Sequence, residues 1–195
     1  IPVDRRTVRY GLGAVKGTGE QAVTAILKAR SAAGAFRDLF DFCRRVDKRL
    51  VNRRTIEALI RAGAFDSLDS HRARLLASVG IAMEAAEQAE RNAMQVSLFD
   101  IFEAGGEEDR EHGPQYVEVA RWSERQKLNE EKLALGFYFS GHPFHSVQAE
   151  VSRFVRTRLA ALEARKEVQW LAGLVVGVRS KLTARGKMVF VQLDD

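Results

Sequence analysis

Over Gln21 to Arg30, Ala22, Val23, Ala25, Ile26 and Ala29 recur at the spacing that puts apolar side chains on one face of a helix. Ser31 to Gly34 is a break of small residues. Asp38 then caps a second helix whose buried face is Leu39, Phe40, Phe42 and Val46. Asn52 caps a third, with Ile56, Leu59 and Ile60 inward, and Gly63 stands where a helix-ending glycine belongs. Asp69 or Ser70 opens a long helix through Leu75, Val79, Met83 and Ala86 to about Arg91. Periodicity is then lost over residues 92–121, where Gly105-Gly106 and Gly113-Pro114 mark a mobile connection. Ser123-Glu-Arg-Gln126 is a capping box that starts a helix through Leu128, Leu133 and Leu135. Pro143 opens another, with Val147, Val151 and Phe154 inside. From Val168 the period falls to two: Trp170, Ala172, Leu174 and Val176 alternate, Arg179 to Gly186 is a basic turn, and Met188, Phe190 and Gln192 alternate again.

The most informative stretch precedes the first helix. Tyr10-Gly-Leu-Gly-Ala-Val-Lys-Gly-Thr-Gly-Glu20 places glycines at 11, 13, 17 and 19 with Lys16 among them. A glycine turn that opens a helix leaves backbone N–H groups unpaired, with the helix dipole behind them, and this suits a phosphate. Glycine also lets a nucleic-acid backbone approach closely. The same pattern serves as a plain tight turn, so both readings stand at this level. It is not a nucleotide loop, because there is no Gly-x-x-x-x-Gly-Lys-Ser/Thr and the glycine spacing misses Gly-x-Gly-x-x-Gly by a residue. The two units around Gly17 and Gly63 read as a pair of helix-hairpin-helix elements, which would touch phosphates across a groove without reading bases. Gly13, Lys16, Gly17, Thr18 and Gly19 in the first, with Lys48, Arg49, Arg53 and Arg54 at the start of the second, are the candidate DNA-binding residues.

Charge sharpens that picture. The net charge is +5, but residues 1–54 hold 13 Lys/Arg against 5 Asp/Glu, while residues 100–111 hold six acids and one base. A basic block followed by an acidic spacer is the layout of a polyanion-binding surface joined to a solvated linker. With 46% apolar and 29% charged residues the composition is that of a globular chain, and no apolar run is long enough to cross a membrane. A single cysteine, Cys43, excludes an internal disulfide and a Cys-rich zinc site and points to a reducing cytoplasm. His71, His112, His142 and His145 have no partner at metal-ligand spacing and are read as structural. No cluster of Asp or Glu fits a two-metal site.

At the head of the connection lies Gln95-Val-Ser-Leu-Phe99. Its Leu98 and Phe99 either fold back on their own core with Ile101 and Phe102, or fill a partner's pocket, where each could contribute ~1.5–3 kcal/mol. Near the end of the sequence, the β-hairpin cannot stand alone, so the chain is expected to be a fragment that stops within an all-β unit. Arg179, Lys181, Arg185 and Lys187 around the turn would suit a single-stranded nucleic-acid groove of an OB-fold.

Several blocks in order carry a family resemblance: Tyr10-Gly-Leu-Gly-Ala-Val-Lys-Gly-Thr-Gly19, Asp38-Leu-Phe-Asp-Phe-Cys43, Asn52-Arg-Arg, Gly63-Ala-Phe-Asp66, Leu135-Gly-Phe-Tyr-Phe-Ser-Gly-His-Pro143 and Ala172-Gly-Leu-Val-Val176. Together they resemble the alpha subunits of bacterial DNA polymerase III, the C-family replicative polymerases, over nearly the whole chain. The resemblance implies a mainly α fold in which 1–92 is a tandem helix-hairpin-helix DNA-binding domain, 93–121 a linker with a clamp-binding peptide, 122–166 a helical segment packing on the hairpin domain, and 167–195 the first strands of a truncated OB-fold. It implies that Gln95, Ser97, Leu98 and Phe99 bind the sliding clamp (the beta subunit), and that the parent chain is a DNA-directed DNA polymerase acting on primer-template DNA. It further implies that the parent uses Mg²⁺, that catalytic residues lie outside this segment, which has no cofactor of its own, and that other holoenzyme subunits bind elsewhere. Residues 103–119 depart from the family's pattern. Two rivals remain at this level, the error-prone paralogue of the same family and a free-standing helix-hairpin-helix/OB module of repair.

Overall fold

The computed structural model describes residues 10–99, 115–184 and 186–195, with the backbone alone for residues 94–99. The chain divides into two compact units, the first ending at Phe137 and the second spanning Tyr138–Asp195. Each is described by itself.

The first unit begins with a 3-10 turn, Leu12–Ala14, followed by α1 (Glu20–Ala33), α2 (Leu39–Arg45), α3 (Arg53–Arg61), α4 (Arg72–Phe99) and α5 (Glu124–Leu135). The expected caps of α2, α3 and α5 are present. The Asp38 side chain accepts from Asp41 N–H at 2.7 Å, Asn52 Oδ1 from Thr55 N–H at 3.0 Å and Ser123 Oγ from Gln126 N–H at 3.2 Å. These helices enclose a core in which Leu39, Ile56, Leu59, Ile60, Leu75 and Val79 are sealed from solvent. Burying each such side chain is worth ~1.5–3 kcal/mol. Cys43 lies in this core, and burial pushes its thiol up to about 12, which makes it inert. Beside it Asp41 is a buried carboxylate. Burial alone would raise its pKa, but the Arg45 guanidinium at 2.7 Å, the Arg37 N–H at 3.1 Å and the Arg44 guanidinium outweigh that and hold it at about 2.

Three boundaries differ from the sequence reading. Helix α1 continues through the Ser31–Ala33 break, since serine and alanine do not stop a helix; it ends at Gly34, whose φ of 76° is the left-handed terminus. Helix α4 is capped by neither Asp69 nor Ser70. His71 Nδ1 accepts from Arg74 N–H at 3.1 Å, while Asp69 holds His71 N–H and the Arg74 guanidinium. The same helix continues from Arg91 to Phe99, 28 residues in all, or about 42 Å. No glycine or proline interrupts it before Gly105, so loss of amphipathic spacing does not end the helix. Its last buried residue among those described is Ala86, and Glu87 to Ala93 are exposed throughout.

The chain reappears on the same unit at Tyr116. The Tyr116 hydroxyl accepts from Leu39 N–H at 3.3 Å, its ring packs edge-on against Phe40, and the Arg74 guanidinium stacks on it. Val117 N–H donates to Ser78 Oγ at 2.9 Å. The expected 93–121 linker therefore has helix over 93–99 and an anchored strap at 116–117, both on the first unit.

The second unit holds α6 (His145–Val151), a 3-10 turn (Leu159–Ala161) and the antiparallel strands β1 (Leu174–Thr183) and β2 (Gly186–Asp194). The residue expected to sit inside with α6 does not: Phe154 is 79% exposed, and Val147 is exposed too. A two-stranded sheet and one short helix offer nothing among the described residues to cover them. Within this unit His142 has a structural place. Its Nδ1 accepts from Phe144 N–H at 3.3 Å and its Nε2 lies 3.3 Å from the Asp194 carboxylate.

Candidate nucleic-acid interface

The first glycine turn is open. Val15 and Thr18 point inward and are buried, while Lys16, Gly17 and Gly19 face solvent. Lys16 N–H donates to Ala134 O at the end of α5, 2.8 Å away, and Thr18 N–H to Val15 O at 3.0 Å. Gly17 has φ 83°, a conformation L side chains avoid, and a Cβ at Gly17 or Gly19 would meet nothing within 4 Å. Gly19 is the N-cap of α1 and offers no side-chain cap. The first N–H groups of α1 have no intrahelical acceptor, so this end of the helix is left to an outside one. Glu20, at the first helical position, is an exposed carboxylate that works against an anion there.

The second turn differs. Gly63 has φ 82°, and its N–H and that of Ala64 are taken by Ile60 O and Leu59 O. A Cβ at Gly63 would collide with the Arg72 guanidinium. Arg72 is 5% exposed and bridges Asp66, Arg61 O (3.2 Å) and Glu131 (2.9 Å). Burial opposes its charge, yet the bonds from Asp66 and Glu131 prevail and hold its pKa above the ordinary value. Glycine at 63 is thus required by its neighbours in the fold, and the turn's amides are spent within the protein.

The predicted cations lie on the surface in three settings. Arg53 and Arg54 occupy the first turn of α3, which is brought to the glycine turn by Thr55, whose Oγ1 lies 3.4 Å from Gly17 O. Arg54 is exposed with no ion pair among the described residues, whereas Arg53 pairs with Glu57 at 2.8 Å. Arg49 pairs with Asp47, and Lys48 with Glu90 at 2.9 Å, which depresses the pKa of both carboxyls through those hydrogen bonds. Exposed pairs of this kind are worth at most about 1 kcal/mol, so a phosphate can displace the acid. Lys16 leans over the end of α5; a Cβ on Gly136 would stand 3.2 Å from its Nζ. Gly13 is exposed beside Val23 and is not crowded.

Comparison with known proteins agrees with this layout. A family described as "Helix-hairpin-helix motif" matches residues 1–75. DNA polymerase III subunit alpha of Neisseria meningitidis serogroup B is 47% identical over 194 residues, covering 100% of this chain. The proteins of the same name from Vibrio cholerae and Escherichia coli K12 are each 40% identical across 98% of it. The chain is homologous to a segment of DNA polymerase III subunit alpha. It spans 16–17% of the length of these alpha subunits.

In this alpha-subunit segment the remaining predicted residues are placed as follows. Gln95, Ser97, Leu98 and Phe99 fall in the last turns of α4, and their side chains lie outside the description. Arg179 and Lys181 are in strand β1, not in the turn, which is Thr183 to Gly186. Their register partners are Phe190 and Met188, whereas Lys187 is opposite Leu182. Strand alternation therefore puts Arg179 and Lys181 on one face with Phe190, and Lys187 on the other. Arg185 lies outside the described residues. No group of three or more His, Cys, Asp or Glu among the described residues could hold a metal ion, so these residues do not fit a Mg²⁺ site. No helix among them is long and apolar enough to cross a membrane.

Sequence reading missed Thr55 and the Arg72 network. Asn52 signals a cap, but nothing in Asn52-Arg-Arg-Thr55 says that the threonine reaches Gly17, 38 positions away.

Proposed function

We propose that this segment holds duplex DNA by its sugar-phosphate backbone and docks on the sliding clamp, and that the two contacts keep a replicative polymerase on its template. The observation that carries the proposal is the uncapped, exposed Gly17-Thr18-Gly19 turn at the head of α1, with Arg54 free beside it. Main-chain amides and arginines that meet phosphates recognise no sequence, which suits an enzyme that must advance over any template. The match to a helix-hairpin-helix motif and the alpha-subunit relatives support this reading.

Clamp docking is assigned to Gln95, Ser97, Leu98 and Phe99. An extended peptide there must leave α4, and beyond Ala86 the described part of the helix has no buried residue to oppose unwinding. Two tethered weak contacts can exceed either alone by ~10²–10⁴. In the second unit, Arg179, Lys181 and Phe190 on one face of the hairpin suit single-stranded DNA if the hairpin belongs to an OB-fold. The parent chain is proposed to be a cytoplasmic DNA-directed DNA polymerase whose Mg²⁺ and catalytic residues, like its contacts to other holoenzyme subunits, lie outside these residues.

The test is a titration of the chain against purified clamp, with and without primed DNA. Leu98→Ala/Phe99→Ala should abolish clamp binding and leave duplex affinity intact. Unchanged clamp affinity removes this peptide from the contact.

A further inference from the structure

Gly17 presents a problem of orientation. A glycine at φ 83° with open space around it has no side chain to fix the peptide planes on either side. If the Gly17–Thr18 plane turned over, a carbonyl oxygen would point out where the candidate interface needs only N–H donors, and it would repel a phosphate. The plane is held at two points. Thr18 N–H is bound to Val15 O at 3.0 Å, and Gly17 O is aimed at Thr55 Oγ1, 3.4 Å away.

Thr55 is well suited to act as a fixed post. It is 3% exposed, and its N–H is pinned to Asn52 Oδ1 at 3.0 Å. Its hydroxyl lies 3.3 Å from the same Oδ1, so one proton serves two acceptors, each at a distance long for a hydroxyl bond. Arg53 and Arg54 precede it directly in the first turn of α3. The contact that orients Gly17 O therefore also sets the separation between the glycine turn and those two arginines.

We propose that Thr55 is a positioning residue for the phosphate-binding turn: its hydroxyl keeps Gly17 O turned inward and registers the first turn of α3 against the N-terminus of α1. This rests on the reading that the Gly17–Gly19 turn meets a DNA phosphate.

The experiment measures duplex affinity by fluorescence anisotropy for the parent chain, Thr55→Val and Thr55→Ser, with the melting temperature of each. Valine keeps the shape and loses the hydroxyl; serine keeps the hydroxyl and loses the methyl. The expected result is about fivefold weaker binding for Thr55→Val, the scale of one lost hydrogen bond, and recovery in Thr55→Ser. Parent-like binding by a folded Thr55→Val overturns the inference and leaves the phosphate reading standing. Equal weakening in both variants also overturns it, since packing of the methyl would then be the cause. If the parent chain itself does not bind duplex, both fall. Should Thr55→Val fail to fold, Thr55→Ala and Thr55→Ser, which both lack the methyl, are compared instead, and equal affinity is the refuting result.

Discussion

Gly19→Ser separates folding from binding. Gly19 has φ −75° and ψ 161°, values a serine adopts without strain, and a Cβ there meets nothing within 4 Å. At an N-cap a serine hydroxyl accepts from the N–H of the second or third helical residue, here Gln21 or Ala22. Replacing a glycine cap by serine gains a few tenths of a kcal/mol, so the variant should be slightly more stable than the parent. The same hydroxyl occupies a donor that a phosphate would use. A hydrogen bond to a charged group is worth about 1.5–3 kcal/mol. The serine O–H can donate to the phosphate in turn and restore part of that, which leaves a net loss near 1 kcal/mol, or about fivefold in Kd. Urea unfolding followed by circular dichroism reads the stability, and fluorescence anisotropy with a short labelled duplex at low salt reads the affinity. The two should move in opposite directions. Parent-like affinity in the stabilised variant would show that these amides do not meet DNA.

Two further outcomes follow from charges buried in the fold. Glu131→Ala leaves the 5%-exposed Arg72 with Asp66 and Arg61 O alone, so stability should fall by about 3 kcal/mol, the low end for breaking a buried pair; a loss under about 1 kcal/mol in urea unfolding would refute that account. Asp41, held at about 2 against an ordinary 3.8, stabilises the fold above its unfolded pKa, and that contribution, on the order of 2 kcal/mol, drains away as pH falls from about 4 towards 2. Asp41→Asn should flatten the fall in melting temperature over that window, and parallel curves for parent and variant would remove Asp41 as the cause.

Much of the helical unit was legible because local rules agree with the tertiary fold there. Asp38, Asn52 and Ser123 cap where short-range chemistry puts them, and Leu39, Ile56, Leu59 and Leu75 are buried as their spacing demands. The end of α4 was hidden because a helix without an apolar face carries no periodic signal, and the cap at His71 because histidine seldom accepts in that role. The first glycine turn was readable as an anion site from its glycines alone. Gly63 offered the same local signal, but its occlusion depends on Arg72, which arrives from the next helix. The division of Arg179 and Lys181 from Lys187 follows from β1 running on to Thr183, and a basic run gives no hint of where a strand stops.

The Tyr116–Leu39 and Val117–Ser78 contacts give residues 100–114 two footings on one body, α4 being the other leg. An insertion held in this way is a closed loop, and lengthening it leaves the separation of the two units untouched. Each doubling of such a loop adds only about 0.6 kcal/mol of closure entropy. The acidic stretch between the footings can therefore gain or lose residues at little thermodynamic expense, which makes it the natural place for the chain to tolerate insertions and deletions.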